Sequence, residues 1–242
     1  MTAQLVERFV NNPAPLLRSR QILWYIAHRL TRLDRKTAAR YLAQSRVRKL
    51  HIGCGPNFLP EWLNMDYLPL SREPLYLDAR RRFFFKDDTF DYIFSEHMIE
   101  HMSYDHGLRM LSECRRVLKP FGKIRISTPD LAFLVNLYQP DRSLLEQQYI
   151  KWATREFFAE IPEANEVFVI NYFMRNWGHT FIYDETTLKA AMTRVGFTNI
   201  VKREMRESVD PELRNLENET RLPPGLLQLE TVILEGSNSD DA

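Results

Sequence analysis

Cysteine is nearly absent from this 242-residue chain: Cys54 and Cys114 are the two present, with no CxxC pair and no Cys/His spacing suited to zinc. Neither a disulfide-stapled scaffold nor a structural zinc site is therefore supported, and a reducing compartment is expected. Long hydrophobic runs are missing too. The most apolar stretch near the N-terminus, Ile22 to Ala27, falls far short of the ~20 residues a membrane span needs, and no leader-like core or cleavage site precedes it. The expectation is a soluble, cytoplasmic chain, neither exported nor membrane-spanning. Internal repeats are lacking, and so is net charge, with 33 basic side chains against 32 acidic ones.

What is present is enough for a sizeable core: 44% of residues are apolar and 12% aromatic. The length fits one α/β domain with appendages and would cramp two domains. The near-neutral total hides an asymmetry. Residues 1–50 carry eleven Lys/Arg against Glu7 and Asp34, a charge of +9, and the remainder carries −8.

Up to residue 46 the chain reads as helix. Leu16, Ile22, Leu23, Ile26, Leu30 and Leu33 recur at near-helical spacing with Arg18, Arg29, Arg32 and Lys36 between them, which describes a basic amphipathic helix. From Arg48 the pattern changes to short apolar runs: Lys49–Ile52, Trp62–Asp66, Leu75–Asp78, Phe90–Ser95 and Lys123–Ser127. A helix with Leu108, Leu111, Val117 and Leu118 on its core face precedes the last of these, followed by a turn at Lys119–Gly122. Strands alternating with helices imply a parallel sheet covered on both faces. The first two connections, Gly53–Trp62 and Tyr67–Pro74, are too short and too rich in proline for crossover helices, which take at least ~10–12 residues. The N-terminal helices are expected to cover the face this leaves open.

Residues 131–180 form an aromatic-rich stretch that reads as a helical insert. Asp184 or Thr186 then caps a helix ending at Gly196, and Phe197–Arg203 and Leu229–Glu235 alternate as strands.

Gly53 and Gly55, directly after the first strand, let backbone approach a ligand closely, and the N–H groups of such a turn suit a carboxylate or phosphate. Asp66 and Asp78 end the next two strands, thirteen and then twelve residues further on. In a doubly wound sheet these strand ends share the edge where ligands bind. An acid there accepts hydrogen bonds from both hydroxyls of a ribose. A dinucleotide is disfavoured because Phe58 stands where the third glycine of its fingerprint belongs. A nucleoside with a small anionic tail fits better.

The stretches HIGCGPNFLPEWLNMDY, LYLDAR, DDTFDYIFSEHMIEHM and LSECRRVLKPFGKIRISTPD resemble the class I S-adenosylmethionine-dependent methyltransferases. Within that class they are most similar to the bacterial methyltransferase-11-like branch, with its GCG…NxD…EHxxEH…RVLKPGG motifs. The resemblance is strong over residues 48–130 and looser over 177–235. It implies a Rossmann-like, doubly wound α/β fold with a seven-stranded sheet, N-terminal helices and a helical cap insert. It also implies S-adenosyl-L-methionine as methyl donor, with S-adenosyl-L-homocysteine as product. Carried over by position, the cofactor contacts are His51, Gly53, Cys54, Gly55, Asp66, Tyr67, Asp78, Ala79, Ser95 and Glu96. Three positions depart from the pattern: His51 stands where many relatives have an acid, Asn57 replaces a loop glycine, and Phe121 replaces the glycine before Gly122.

Histidines follow the fourth strand at 97, 101 and 106. His97, nearest the strand end, is expected either as an acceptor-site base or as a wall of that site. His97 and His101 have the spacing of an i, i+4 metal pair, but no third ligand is apparent and no metal is assigned; the plain reading pairs His101 with Glu100 to anchor a helix start. His179 closes the aromatic insert and is expected to contact the acceptor or act as base, with a structural role as the alternative. His97 and His179 are thus the catalytic candidates.

Taken together, the expected organisation is a basic helical segment at 1–46, a methyltransferase domain at 47–236 with its acceptor cap at 131–180, and a disordered tail at 237–242. The resemblance points to O-methylation of a small-molecule or glycan hydroxyl. The alternatives are N- or C-methylation of another metabolite, or a degenerate protein that binds cofactor or a partner without turnover. Of three readings for the basic helix, sheet cover comes first and peripheral contact with anionic lipid through Trp24 and Tyr25 second. Nucleic acid is disfavoured, because no binding module accompanies the helix.

Overall fold

The computed structural model describes residues 33–68 and 74–239, so most of the basic segment and its Trp24 and Tyr25 lie outside the described residues. In chain order the elements are α1 (Leu33–Gln44), β1 (Lys49–Ile52), β2 (Leu63–Asp66), β3 (Leu75–Tyr76), β4 (Phe90–Glu96), α2 (Tyr104–Val117) and β5 (Leu118–Pro129). There follow α3 (Leu131–Asn136), α4 (Leu144–Phe157), α5 (Glu166–Arg175), α6 (Glu185–Arg194), β6 (Thr198–Lys202), α7 (Leu226–Glu230) and β7 (Thr231–Ser237). The strands form one seven-stranded sheet in the order β3-β2-β1-β4-β5-β7-β6, parallel except for β7, which runs antiparallel to both neighbours. This is the Rossmann-like, doubly wound α/β architecture expected. Among the described residues, no helix is long and apolar enough to cross a membrane.

The sheet's centre follows from its composition. All four β1 side chains are buried, as a strand covered on both faces requires. Leu50 and Ile52 join Met65, Ile93, Ile124 and Ile126 in the main core. No helix fills the chain between Gly53 and Trp62, which runs as turns. Instead α1 packs Ala38, Tyr41 and Leu42 against the main core. The Tyr41 hydroxyl receives a hydrogen bond from the Lys49 amide at 2.7 Å, and lies 2.9 Å from the Lys49 carbonyl and 3.0 Å from that of Glu61.

Several boundaries differ from the sequence reading. β3 stops at Tyr76, so Asp78 follows the strand rather than ending it. Leu118 begins β5 instead of closing the face of α2, whose buried residues are Gly107, Met110, Leu111, Cys114 and Val117. The turn expected at Lys119–Gly122 is absorbed into β5 as an irregularity, where the register against β4 shifts between Phe90 and Tyr92. Phe121 keeps the left-handed backbone of the turn, with φ +64°. Leu229 lies in α7, and β7 runs through Ser237, past the boundary at Gly236. The buried Asn238 amide donates to the Leu118 carbonyl at 2.8 Å; residues 240–242 lie outside the described residues.

The 131–180 stretch is helical, as α3, α4 and α5, and has a core of its own. Phe133, Leu134, Tyr149, Ile150, Val169 and Phe173 pack together there with Leu226 of α7. A capping box starts α4, with the Ser143 hydroxyl accepting from the Glu146 amide at 3.2 Å and the Glu146 carboxylate accepting from the Ser143 amide at 2.7 Å. Asp184 caps α6, which stops before Gly196 at φ +95°.

One buried charge organises the far side of the sheet. Arg125 on β5 is fully buried, with Nε 2.6 Å from the Glu217 carboxylate and Nη1 2.7 Å from that of Glu235. It also donates to the carbonyls of Glu207 and Glu204 at 2.8 and 3.2 Å. The irregular segment after β6 is therefore fastened to β5 and β7. Replacing Arg125 with Met leaves two carboxylates with no guanidinium between them. Breaking a buried pair in this way costs about 3–5 kcal/mol, so urea unfolding of R125M should give an unfolding free energy lowered by that amount; a loss under about 1 kcal/mol would contradict the assignment.

Candidate functional site

β1 has β2 on one side and β4 on the other, so the strand order reverses at β1 and the crevice outside the carboxyl ends of these strands is where such sheets bind ligands. Gly53 and Gly55 follow β1 with φ of +71° and +50°, values that favour glycine. A Cβ on Gly53 would lie 2.3 Å from Cγ of Met98, whereas one on Gly55 would meet nothing within 4 Å. Of the two glycines, Gly55 is the one with open space where a side chain would lie. The N–H groups of the turn are not free, contrary to expectation. Those of Gly53 and Cys54 donate to the Met65 carbonyl at 2.9 and 3.1 Å, and that of Gly55 donates to Asp66 Oδ2 at 2.9 Å.

Asp66 accepts a second bond from the Leu68 amide at 2.7 Å on Oδ1. One bond on each oxygen leaves two further lone-pair directions for hydroxyl donors. Beside it Tyr67 is 48% exposed, and the Arg80 guanidinium lies 4.7 Å from its ring centroid, which makes a flat wall. Asp78 is buried and faces its own neighbours, with Oδ1 2.8 Å from Arg80 Nε and Oδ2 3.2 Å from Arg81 Nε. Burial works to raise its carboxyl, but the Arg80 bonds and charge outweigh it and hold the group below the usual carboxylate range. Ala79 beside it is buried.

His51 lies under the turn. Its Nδ1 is 3.0 Å from Asn64 Oδ1, which also accepts from the Leu59 amide at 3.0 Å, so Nδ1 carries the proton. Its ring packs 5.1 Å from Phe94. Burial pulls its pKa down to about 4, and His51 is a neutral brace for the loop. Cys54 is buried, its thiol pushed up to about 12 by burial and the Asp66 charge, which keeps it in the thiol form at neutral pH.

At the end of β4, Ser95 Oγ is buried with no hydrogen-bond partner among the described residues. Glu96 gathers three partners: the Asn218 amide and Arg221 Nη2, both at 3.0 Å on Oε1, and Asn57 Nδ2 at 3.4 Å on Oε2. Burial raises its carboxyl and Arg221 opposes that. Asn218 and Arg221 were not expected here. They sit in a segment without periodicity, and no sequence signal ties them to Glu96.

The histidines divide. His106 lies apart in the first turn of α2, with Nδ1 3.2 Å from the Ser103 hydroxyl. His97, His101 and His179 gather around Glu100. His97 has left-handed backbone, φ +45°, and Nε2 lies 3.1 Å from the Thr231 hydroxyl. Its Nδ1 is 3.6 Å, and His101 Nε2 3.8 Å, from Glu100 Oε1. Residues 99–101 form a single 3₁₀ turn that excludes His97, so the two histidines meet through Glu100 and not along one helical face. His179 Nδ1 lies 2.7 Å from the Phe173 carbonyl, so Nδ1 carries the proton and Nε2 the lone pair. Burial depresses both bases, His97 well below its ordinary value and His179 to about 4.

Residues 25–202 match the family model described as a methyltransferase domain. No curated protein matches the chain. Among solved structures, a SAM-dependent methyltransferase of Thermotoga maritima, described as a possible histamine N-methyltransferase, is 18% identical over 98% of this chain and 99% of its own, with a TM-score of 0.46. A SAM-dependent methyltransferase of Archaeoglobus fulgidus is 14% identical over 89% and 99%, with a TM-score of 0.46. The CurJ carbon methyltransferase is 16% identical over 80% of this chain, which spans 49% of that chain, with a TM-score of 0.43.

The buried His51 makes stability depend on acid. The unfolded chain takes up its proton near the ordinary value of 6.5 and the folded chain only near 4. Its contribution is therefore complete above about 6.5 and is lost as pH falls towards 4, at up to ~1.4 kcal/mol per unit. In His51→Gln this part of the acid limb should vanish, and urea unfolding from pH 4 to 7 checks it; wild type and variant falling in parallel would contradict it.

Proposed function

The chain belongs to the methyltransferase-domain family, and from that premise we propose that it moves the methyl group of S-adenosylmethionine onto a hydroxyl of a small molecule or glycan unit. The observation that carries the reading is the bond from the Gly55 amide to Asp66 at 2.9 Å, which joins the open loop after β1 to the acid ending β2 where the strand order reverses.

The residues at this edge fit such a donor. Asp66 keeps lone pairs for two ribose hydroxyls, bonds of the charge-assisted kind worth on the order of 1.5–3 kcal/mol each. Gly55 lets the chain lie close, and Ser95 Oγ has hydrogen-bonding capacity to spare. In this reading the Tyr67–Arg80 wall and the backbone at Asp78–Ala79 face the base, while Asp78 itself stays with its arginines. When bound, the donor supplies an electrophilic methyl group on a positively charged sulfur.

What the protein adds is alignment, which is worth up to ~7–11 kcal/mol in favourable cases. The insert supplies the acceptor side. The His179 segment is fastened there, since the Thr180 and Phe181 amides both donate to the Glu100 carbonyl, at 2.7 and 3.1 Å. Of the two catalytic candidates, His179 keeps a lone pair at Nε2 for an acceptor hydroxyl. His97 serves as a wall, its Nε2 engaged by Thr231. A base held near 4 takes a proton weakly at neutral pH, so base assistance belongs at the low end of the usual ~10²–10⁴-fold.

The test is incubation with methyl-labelled S-adenosylmethionine and a panel of hydroxylated small molecules and oligosaccharides. Label in a methyl ether, with release of S-adenosylhomocysteine, is the expected result. Label found only on nitrogen or carbon would replace the hydroxyl reading, and donor binding without release for every acceptor would replace the enzyme reading.

A further inference from the structure

Glu100 is fully buried, yet its Oε1 has no hydrogen-bond partner among the described residues. Its other oxygen accepts from the Thr128 hydroxyl at 3.1 Å, which sets the orientation of the carboxylate. What faces Oε1 is not a donor at bonding distance but imidazole, with His101 Nε2 at 3.8 Å and His97 Nδ1 at 3.6 Å. Ligand atoms of Glu100, His101 and His179 lie within 4.8 Å of one another.

A carboxylate oxygen buried without a donor is expensive. Neutral imidazoles do not relieve it, because the nearest nitrogens stand beyond hydrogen-bond reach. A cation between them relieves all three groups together. With bonds of about 2.0–2.2 Å to nitrogen and oxygen, ligand atoms sit roughly 3.3–3.5 Å apart in a tetrahedral site. The His101–Glu100 spacing of 3.8 Å and the 4.8 Å bound on the set are somewhat wider than that, so the ion would draw the three groups inward.

We propose that Glu100, His101 and His179 form a binding site for one divalent transition-metal ion of the zinc class. Three further features suit the role. Metal-bound histidines characteristically donate their other N–H to a carbonyl, and His179 Nδ1 does so to Phe173 at 2.7 Å. Thr128 holds the carboxylate in the same supporting way. The backbone joining the two halves of the site is already closed, through the Thr180 and Phe181 amides on the Glu100 carbonyl. Two imidazoles and one carboxylate are a donor set for zinc or another late first-row ion and a poor one for magnesium or calcium. Three protein donors leave a coordination position open, and His101 and His179 are the less buried members of the set. With an ion bound, the His179 Nε2 lone pair would be taken up in coordination, so its role toward an acceptor hydroxyl belongs to the ion-free protein. That last role rests on the methyltransferase reading; the site itself does not.

Tag-free full-length protein, stripped with a chelator, is titrated calorimetrically with zinc chloride, and separately with cobalt(II) followed by visible absorption. The expected result is one ion per chain with micromolar or tighter affinity and a cobalt band of a nitrogen- and oxygen-ligated ion. Affinity should fall at least ~10–100-fold in His101→Asn and His179→Asn. Both positions are less buried than Glu100, and Asn at 179 keeps a donor for Phe173, so neither depends on surviving a core substitution; matched circular dichroism spectra confirm folding. Absence of stoichiometric binding, or binding that both variants retain, would overturn the site. S-adenosylhomocysteine binding measured on the stripped protein separates the two readings, because it survives failure of the metal site.

Discussion

The parallel pairing of β1 with β2 on one side and β4 on the other is the constraint on which the rest of the structure depends. Leu50 lies opposite both Leu63 and Ile93, and Ile52 opposite Met65 and Ser95. That register brings the glycine turn, Asp66 and Ser95–Glu96 to a common edge. A shift of one residue would turn Leu50 and Ile52 away from their layer and carry the acid out of reach of Gly55. The apolar residues of β1 therefore place the chemistry, although none of them takes part in it.

Two buried charge systems extend this edge into a site. Arg125 binds the segment after β6 to β5 and β7, and from that anchored segment Asn218 and Arg221 reach Glu96. Glu96 in turn holds Asn57 of the loop after β1. The crevice is thus closed on one side by hydrogen bonds to carboxylates and left open at Gly55. On the other side the insert returns to the sheet at Glu100, with its helices packed on a separate core. Two independently packed bodies meeting at a fixed edge suit an enzyme whose contribution is alignment.

What was legible in the sequence was local. The first three strands were readable because short runs of apolar residues end in Gly or Asp, and the Gly53, Gly55 and Asp66 set because Asp66 follows Gly53 by thirteen residues. The α6 helix was readable from Asp184 and Gly196. β3 came out shorter because it pairs only through Met65 and Asp66. The turn at Lys119–Gly122 was recognised as turn chemistry, but β5 carries it as an irregularity, since the chain can continue its pairing with β4 after one register shift. Contacts across long separations left no trace. Arg221 meets Glu96 from 125 residues away, and His179 meets Glu100 through an insert whose aromatic rings reveal packing but not where its end returns. The spacing of His97 and His101 suggested a helical pair, whereas a positive φ at His97 and a single 3₁₀ turn arrange them around Glu100 instead.

The central claim is that the joint between Gly55 and Asp66 holds a methyl donor. Titration calorimetry with S-adenosylhomocysteine, on wild type and on Asp66→Ala, tests it most directly. One-to-one binding to wild type is expected, with loss of most of that affinity in a variant that remains folded. Undiminished binding in Asp66→Ala, or none to wild type at high micromolar ligand, would contradict it.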